Sequence, residues 1–419
     1  QKLVGKVNDG SFREAYNLSY TDVYDFSTKK QSLKKWEIEL GIKHQEFPYH
    51  WDEPVPKDKW VLAADYCCND VLATEAVFDK CAADYTARLI LADLAGGTAN
   101  NTTNQLTTKL IFGNNKNPKL NYVDLEEEFP GYKYTQFEDG TWHNMYRGVD
   151  IGFGGYVKAT PNMYGSTDLY DIESMHPRSA IVMKYFGEYT KNFEEIVDIR
   201  LGIKHGNIDD IINMMAGRLA KYLGDESLTE GLSYALKIAI NGVYGLTSAK
   251  FDNPFRDKRN VNNIVALRGA LFMKTLEDEL INKGYIVAHL KTDSIKIPNA
   301  DPEVKQFCMD FAKKYGYTFD HEATYSKFCL VNDAVYIAKY GWAQKAKKIN
   351  TWTATGAQFA HPYLFKTLFS KEPIVFDDLC EIKTVTSPAA MYLDFNENLP
   401  DVSHYEIERD KLIKKLSVD

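Results

Sequence analysis

The sequence predicts a multidomain protein of the α+β class, on three observations. Its 419 residues exceed the size at which a single hydrophobic core stops growing, so two to four domains are expected. Glycine-rich strand patterning starts at Asn144 (NMYRGVDIGFGGYVKATPNMYGSTDLYDIESMHPRSAIVM) and returns at Ile286–Ile297 (IVAHLKTDSIKI). Between these lies Phe193–Ser248, which is patterned for helix. Strand-forming and helix-forming segments are therefore segregated.

Hydrophobic residues at 44%, charged residues at 26% and aromatics at 13% describe a soluble globular enzyme rich in ring faces. The 50 Lys and Arg against 58 Asp and Glu leave a net charge of −8. That counts only mildly against a nucleic-acid partner, because net charge does not locate charge. The six cysteines, at 67, 68, 81, 308, 329 and 380, form no CxxC pair and no Cys/His ligand spacing. A zinc site and a disulfide framework are not indicated, and a reducing, cytoplasmic location fits. No apolar run approaches the length of a membrane span, so no membrane partner is expected.

In chain order, YTDVYDF (20–26) reads as strand and turn, and Ser32–Glu46 as a short helix. A loop with three prolines leads to a long amphipathic helix over Trp60–Tyr85. GGTANNTTN (96–104) and NNKNP (114–118) are turn-rich and mark a boundary. The helical stretch 193–248 breaks at GDES (224–227), giving an antiparallel helical hairpin. An amphipathic stretch covers Asn262–Lys283. In the segment that follows, Ile286, Ala288 and Leu290, then Ile295 and Ile297, alternate around Lys291-Thr292-Asp293-Ser294. This predicts a β-hairpin with an aspartate at its tip. Beyond Trp342 a small mixed region ends in a charged helix, Tyr405–Leu416.

Three features carry chemistry. Asp171 ends a strand and is followed by Ser174-Met175-His176-Pro177, with proline near a helix start, where its missing N–H costs nothing. The carboxylate then stands beside free N–H groups suited to phosphate, although for a lone aspartate there a helix cap is the favoured reading. Lys237, Asn241 and Tyr244 fall on one helix face while Leu236, Ile240 and Val243 cover another. A cation, an amide and a ring suit a nucleotide, and a merely solvated face fits as well. Asp293 at a hairpin tip is, alone, ordinary turn chemistry. Together, two aspartates from separate strands can hold a pair of divalent ions that activate an attacking oxygen and stabilise a leaving one.

These residues resemble family B DNA polymerases of bacteriophage type. DIESMHP is similar to motif A (D-x-x-S-L-Y-P), KIAINGVYG to motif B (K-x-x-x-N-S-x-Y-G) and HLKTDS to motif C (Y-x-D-T-D-S), in the family's order. Tyr66-Cys-Cys-Asn-Asp70 resembles the third exonuclease motif. Tyr146-Arg147-Gly148, or alternatively Gly154-Gly155-Tyr156, resembles the Y-x-G-G element, and His321-Glu322 and Tyr336 align with the region before the primer-gripping K-x-Y element.

The resemblance implies a palm, fingers and thumb, preceded by the C-terminal part of an RNase H-like 3′–5′ exonuclease domain. Its units are residues 1–95 (incomplete exonuclease), 96–190 (palm with motif A), 191–248 (fingers), 249–345 (palm with motif C) and 346–419 (thumb). It implies catalytic, metal-holding Asp171 and Asp293, with the Ile172 carbonyl as third ligand for two Mg²⁺ ions, Mn²⁺ being able to substitute. Ser174, Met175, His176, Arg200, Lys204, Lys237, Asn241 and Tyr244 would bind the deoxynucleoside triphosphate. Tyr146, Arg147, Gly148, Thr292 and Tyr336 would bind primer–template DNA. Arg200 and Lys204, four apart on one helix face, read equally well as an exposed surface pair.

Departures from the family pattern are specific. Lys291 replaces the first aspartate of D-T-D, and His176 stands where the family has the tyrosine that excludes ribonucleotides. Gly242 replaces the serine of motif B, and Ala334 falls where the K-x-Y lysine would be, leaving Lys327 or Lys339 to grip the primer. The other exonuclease carboxylate pairs are not found before Tyr66, so no exonuclease activity is expected. The chain reads as a split subunit or processed fragment, with a second chain completing that domain as an expected partner. Between Pro177 and Lys237, and between Asn241 and Asp293, there is no room for the two insertions of protein-primed relatives. The reading is a phage-encoded, template-directed DNA polymerase acting in the bacterial cytoplasm. A catalytically silent DNA-binding or assembly subunit derived from such an enzyme is the alternative. A nuclease built on Asp70 lacks its other ligands.

Overall fold

The computed structural model describes residues 22–43, 46–50, 53–261, 263–356, 359, 361–367 and 371–379. The helix expected at Tyr405–Leu416 lies outside the described residues.

The chain opens on helices α1 (Leu33–Leu40), α2 (Trp60–Lys80), α3 (Ala82–Ala95) and α4 (Thr103–Phe112). Val23–Phe26 is a helical turn rather than the expected strand, because the Asp22 side chain accepts from the Tyr24 N–H and caps it. The long helix expected over 60–85 breaks at Cys81, which leaves helical geometry and starts α3 at a new angle. Among the described residues of 1–95 the elements are helical. α3 packs against the helix that carries Lys237, so these residues share the main core.

A small sheet follows, β1 (Lys133–Gln136), β2 (Trp142–Tyr146) and β3 (Val149–Asp150). The large sheet is built from β4 (Val157–Ala159), β5 (Asn162–Tyr164), β6 (Thr167–Ile172), β7 (His289–Lys291), β8 (Ser294–Pro298), β9 (Phe319–Leu330), β10 (Tyr336–Ala343) and β11 (Trp352–Thr355). Its order is β11-β10-β9-β6-β8-β7-β4, with β5 also on β9, and every pairing is antiparallel. β11 pairs β10 from Thr355 to Trp352, so the sheet continues past the expected palm–thumb boundary at 345.

Between the halves of the sheet lie α5 (Met175–Val182), α6 (Thr190–His205), α7 (Glu226–Ser248) and α8 (Ile264–Asn282), with α9 (Pro302–Lys314) after the hairpin. The helical hairpin forms as expected, but its connection runs from 206 to 225 through short helical turns, so the break is wider than GDES. The Asp225 side chain accepts from the Leu228 N–H at 2.9 Å and fixes the start of α7. The intervals 177–237 and 241–293 are filled by these elements.

The large core packs these helices on one face of the sheet, the face of Tyr170, Ile172 and Ile295. A smaller core with Leu169, Tyr325 and Phe328 lies on the other. α8 is buried on nearly every side and is not the amphipathic helix its sequence suggests. Its charges are paired internally. Arg268 donates to Glu128 at 2.8 Å, and Glu277 accepts from the Tyr156 hydroxyl at 2.9 Å and from Lys158 and Lys274. Gly269 lets α5 approach, since a Cβ there would stand 2.6 Å from Met175 Cε. No helix among the described residues is long and apolar enough to cross a membrane.

Candidate active site

The strand β6 carries Asp171, its penultimate residue, between two neighbouring strands. Asp171 sits opposite Ser294 on β8 and opposite Asp320 on β9. The β7–β8 connection is the two-residue tip Thr292-Asp293, and the Ile172 N–H donates to the Asp293 carbonyl at 2.8 Å. This bond ties the two aspartates together through the backbone. Asp171 does not cap a helix, because α5 begins three residues on with Ser174 in left-handed geometry as its N-cap.

Electrostatics mark the pair. Burial pushes the Asp171 carboxyl up to about 8, reinforced by Asp293, then Glu322 and Asp320. Burial also raises Asp293. Asp320 and Glu322 were not among the sequence-predicted residues. They lie two apart on β9, and both act on the Asp171 carboxyl. A register shift between Leu169 and Tyr170 inserts Glu322 as an extra residue beside Asp171. The sequence marked Glu322 only through the resemblance of His321-Glu322 to the region before the K-x-Y element, and Asp320 not at all.

Also missed was Lys296, which is 3% exposed. In cross-strand register it sits between Leu169 and His289, one row behind Asp171 on the same face. Its ammonium donates to His289 Nδ1 at 3.1 Å and lies 5.1 Å from the Tyr336 ring centroid, and His289 Nε2 donates to the Asp333 carbonyl at 3.0 Å. Burial and then Lys291 push Lys296 down to about 8, while Asp171, Asp293 and Glu322 pull it the other way. Lys296 is thus the resident counter-charge of the carboxylates. Tyr336 meets the site through this lysine.

Among the described residues no group of three or more His, Cys, Asp and Glu side chains is arranged to hold a metal ion. The oxygen donors present still fit magnesium, which is commonly held by one or two carboxylates and completed by substrate phosphates and water. The raised carboxyls of Asp171 and Asp293, only partly offset by Lys296, are the structural mark of that fit. The charge has a measurable consequence. The native carboxyl of Asp171 titrates above its unfolded value of about 3.9, so metal-free stability is expected to fall as pH rises from about 4 to about 8. In EDTA at pH 8, Asp171→Asn should unfold at higher temperature, by about 2 kcal/mol after allowing for partial solvent screening. The difference should vanish near pH 4, and thermal melts across this range check it.

Around motif B, Lys237 and Asn241 are exposed on the outer face of α7, while Leu236, Ile240 and Val243 are buried, as the spacing predicts. The Tyr244 ring stacks on His176 at 4.2 Å and 17°. Burial lowers His176 to about 4, so the imidazole is neutral at pH 7. His176 Nε2, Arg200 Nε and Asn263 Oδ1 are buried without a hydrogen-bond partner. Two of these orphaned atoms, on His176 and Asn263, belong to residues that meet Tyr244, since Asn263 also donates to the Tyr244 hydroxyl at 3.4 Å, and such atoms invite a ligand or water. Lys204 and Lys237 line one cavity of about 550 Å³ between α6 and α7. Lys204 itself bridges Glu173 at 2.8 Å and Asp320 at 3.4 Å, joining α6 to the sheet.

Other predicted residues go elsewhere. Met175 is buried against α8, leaving only its backbone for a ligand. Tyr146 is 2% exposed, its hydroxyl 3.1 Å from Thr275 Oγ1, and is a core residue; Arg147 pairs with Asp278 at 3.0 Å, and Gly148 turns β2 into β3. Of the two Y-x-G-G candidates it is Gly155-Tyr156 that meets the site. The Thr292 N–H donates to the Tyr156 carbonyl at 3.0 Å, and Thr292 packs on Gly155. Tyr66 and Asp70 lie one turn apart on α2, where Tyr66 stacks near Phe47 and the neighbouring Asn69 donates to Glu37. Lys327 and Lys339 face each other across β9 and β10.

No family model matches the sequence, and no curated protein matches it. Among solved structures, the chain is similar to the family B DNA polymerase from the hyperthermophilic archaeon Pyrobaculum calidifontis, with 13% identity and a TM-score of 0.40. The match covers 81% of this chain and 45% of that one, so the chain spans about half the length of that polymerase.

Proposed function

We propose that the chain is the polymerising part of a template-directed DNA polymerase of family B, bacteriophage type, adding deoxynucleotides to a primer 3′ end. The observation that carries this reading is the pair Asp171 and Asp293, tied by one backbone bond, with Tyr244 of the Lys237, Asn241 and Tyr244 stripe stacked on His176. Asp171, Asp293 and the Ile172 carbonyl would hold two Mg²⁺ ions. When bound, such ions make the attacking 3′ oxygen more nucleophilic and neutralise the leaving pyrophosphate.

The protein's own residues do the rest. Lys237 and Lys204 meet the triphosphate, and Arg200 supplies a buried, unpaired N–H. Asn241 and Tyr244 pack on the nascent base pair, and neutral His176 walls the sugar side. Lys296 partly offsets the carboxylate charge of Asp171 and Asp293 before the substrate arrives.

The reading is tested by extending a primed template with Mg²⁺ while each deoxynucleotide is withheld in turn. Arrest at the position that needs the missing nucleotide supports it. Binding of DNA without extension would favour a silent DNA-binding subunit. On the same reading, Lys237→Ala should raise the KM for deoxynucleotides about tenfold, the effect of losing one charge-assisted phosphate contact of roughly 1.5 kcal/mol, with a smaller change in kcat. Steady-state single-nucleotide incorporation checks that split.

A further inference from the structure

A second surface stands out once charge is located rather than counted. The segment 116–120 and the loop 252–259 enclose a cleft of about 630 Å³. Its lining includes Lys116, Lys119, Arg256, Lys258 and Arg259 against two carboxylates, Asp252 and Asp257. A surplus of three positive charges in one cleft of a chain with a net charge of −8 is the electrostatic footprint of a polyanion site.

The two carboxylates are already spoken for. Asp252 pairs with Lys258 at 2.7 Å, and Asp257 with Arg259, which also donates to the Leu120 carbonyl at 3.1 Å. Arg256 donates to the Ala249 carbonyl and braces the loop against the end of α7. Lys116 and Lys119 are exposed and lie outside every ion pair among the described residues.

The cleft continues into a second, more apolar cavity of about 560 Å³ with which it shares Lys116, Asn253 and Pro254. That cavity is lined by Leu246, Phe255 and Phe251, and the Phe251 side chain is 60% exposed. A basic channel beside an exposed ring is how proteins hold single strands without regard to sequence, phosphates on the cations and a base on the ring. Duplex DNA keeps its bases stacked inside and offers the ring nothing.

The position fits the same occupant. Leu246 and the loop follow directly from Asn241 and Tyr244 on α7. Phe251 comes seven residues after Tyr244, hence within about 25 Å of it. We infer that the cleft between 116–120 and 252–259, with the Phe251 cavity, binds the unpaired template strand as it approaches the nascent base pair. This rests on the polymerase reading.

The test uses the full chain and fluorescence anisotropy on two labelled duplexes, one blunt and one with a twelve-thymidine 5′ template overhang. The wild type should bind the overhang duplex more tightly. Lys116→Ala/Lys119→Ala/Lys258→Ala should lose that preference while binding the blunt duplex as before. Its slope of log affinity against log salt should be shallower by about 2, as for three phosphate contacts on a single strand. Phe251→Ala should weaken the overhang duplex about tenfold, a stacking contribution at the lower end of the usual range. If both variants retain the full preference, the cleft is overturned as a template site and the polymerase reading stands. If the wild type binds neither duplex, the polymerase reading fails, and this inference falls with it.

Discussion

Asp171→Ala and Asp293→Ala are each expected to lower nucleotide addition by about 10³-fold or more while leaving primer–template binding largely intact. A bond of 2.8 Å from the Ile172 N–H to the Asp293 carbonyl fixes one aspartate against the other. Both side chains are drawn toward the protonated form by burial. A fold tolerates such charge where a function uses it. On the proposed reading, losing either oxygen donor would leave the triphosphate and the leaving group short of several kcal/mol of charge stabilisation, and each 1.36 kcal/mol is a factor of ten in rate. DNA binding draws on other groups, so anisotropy with a primed template should barely change. A trivial explanation, loss of fold, is separable, because removing an unfavourable buried charge should leave the metal-free melting temperature equal or higher. Extension by either variant at near wild-type rate would sink the assignment.

How far the sequence could be read depended on whether a residue's role was local. The placement of Asp171 near a strand end and of Asp293 at a hairpin tip was legible because a strand end and a two-residue turn are short-range features. The Lys237, Asn241 and Tyr244 face followed from helical periodicity alone. Asp320, Glu322 and Lys296 were not legible. Their roles arise from register across β9, β6 and β8, and a bulge at Glu322 decides which face it serves. The same lack of long-range information made Tyr146 look like a DNA contact, when β2 turns it into the core against Thr275. It also made α8 look amphipathic, when its charges meet Glu128, Tyr156 and Lys158 from distant segments. The helical turn at Val23–Phe26 is a different kind of miss. A side-chain cap from Asp22 outweighed β-favouring Val and Tyr.

Gly155→Ala is the substitution expected to show how tightly the tip bearing Asp293 is held, lowering kcat about 100-fold from a position that donates nothing to chemistry. Gly155 has φ +147°, and a Cβ there would lie 3.0 Å from Thr292 Cγ2, 3.1 Å from Oγ1 and 3.3 Å from Cβ. Thr292 cannot easily yield. Its own φ is +56°, a left-handed conformation that costs a β-branched residue on the order of 1–3 kcal/mol, and its N–H is committed to Tyr156. The added methyl must therefore push the whole Thr292-Asp293 turn, and a displacement of about 1 Å at a catalytic group can cost 10²-fold. Single-turnover incorporation should record the loss, while primer–template affinity stays within experimental reach of the wild type. Adding Thr292→Gly to the same chain removes the clashing atoms and the left-handed strain, so it should restore at least tenfold. Some loss should persist, because alanine at φ +147° is itself strained. Wild-type turnover in Gly155→Ala, or no recovery in the double variant, would mean that the tip is positioned by something other than this contact.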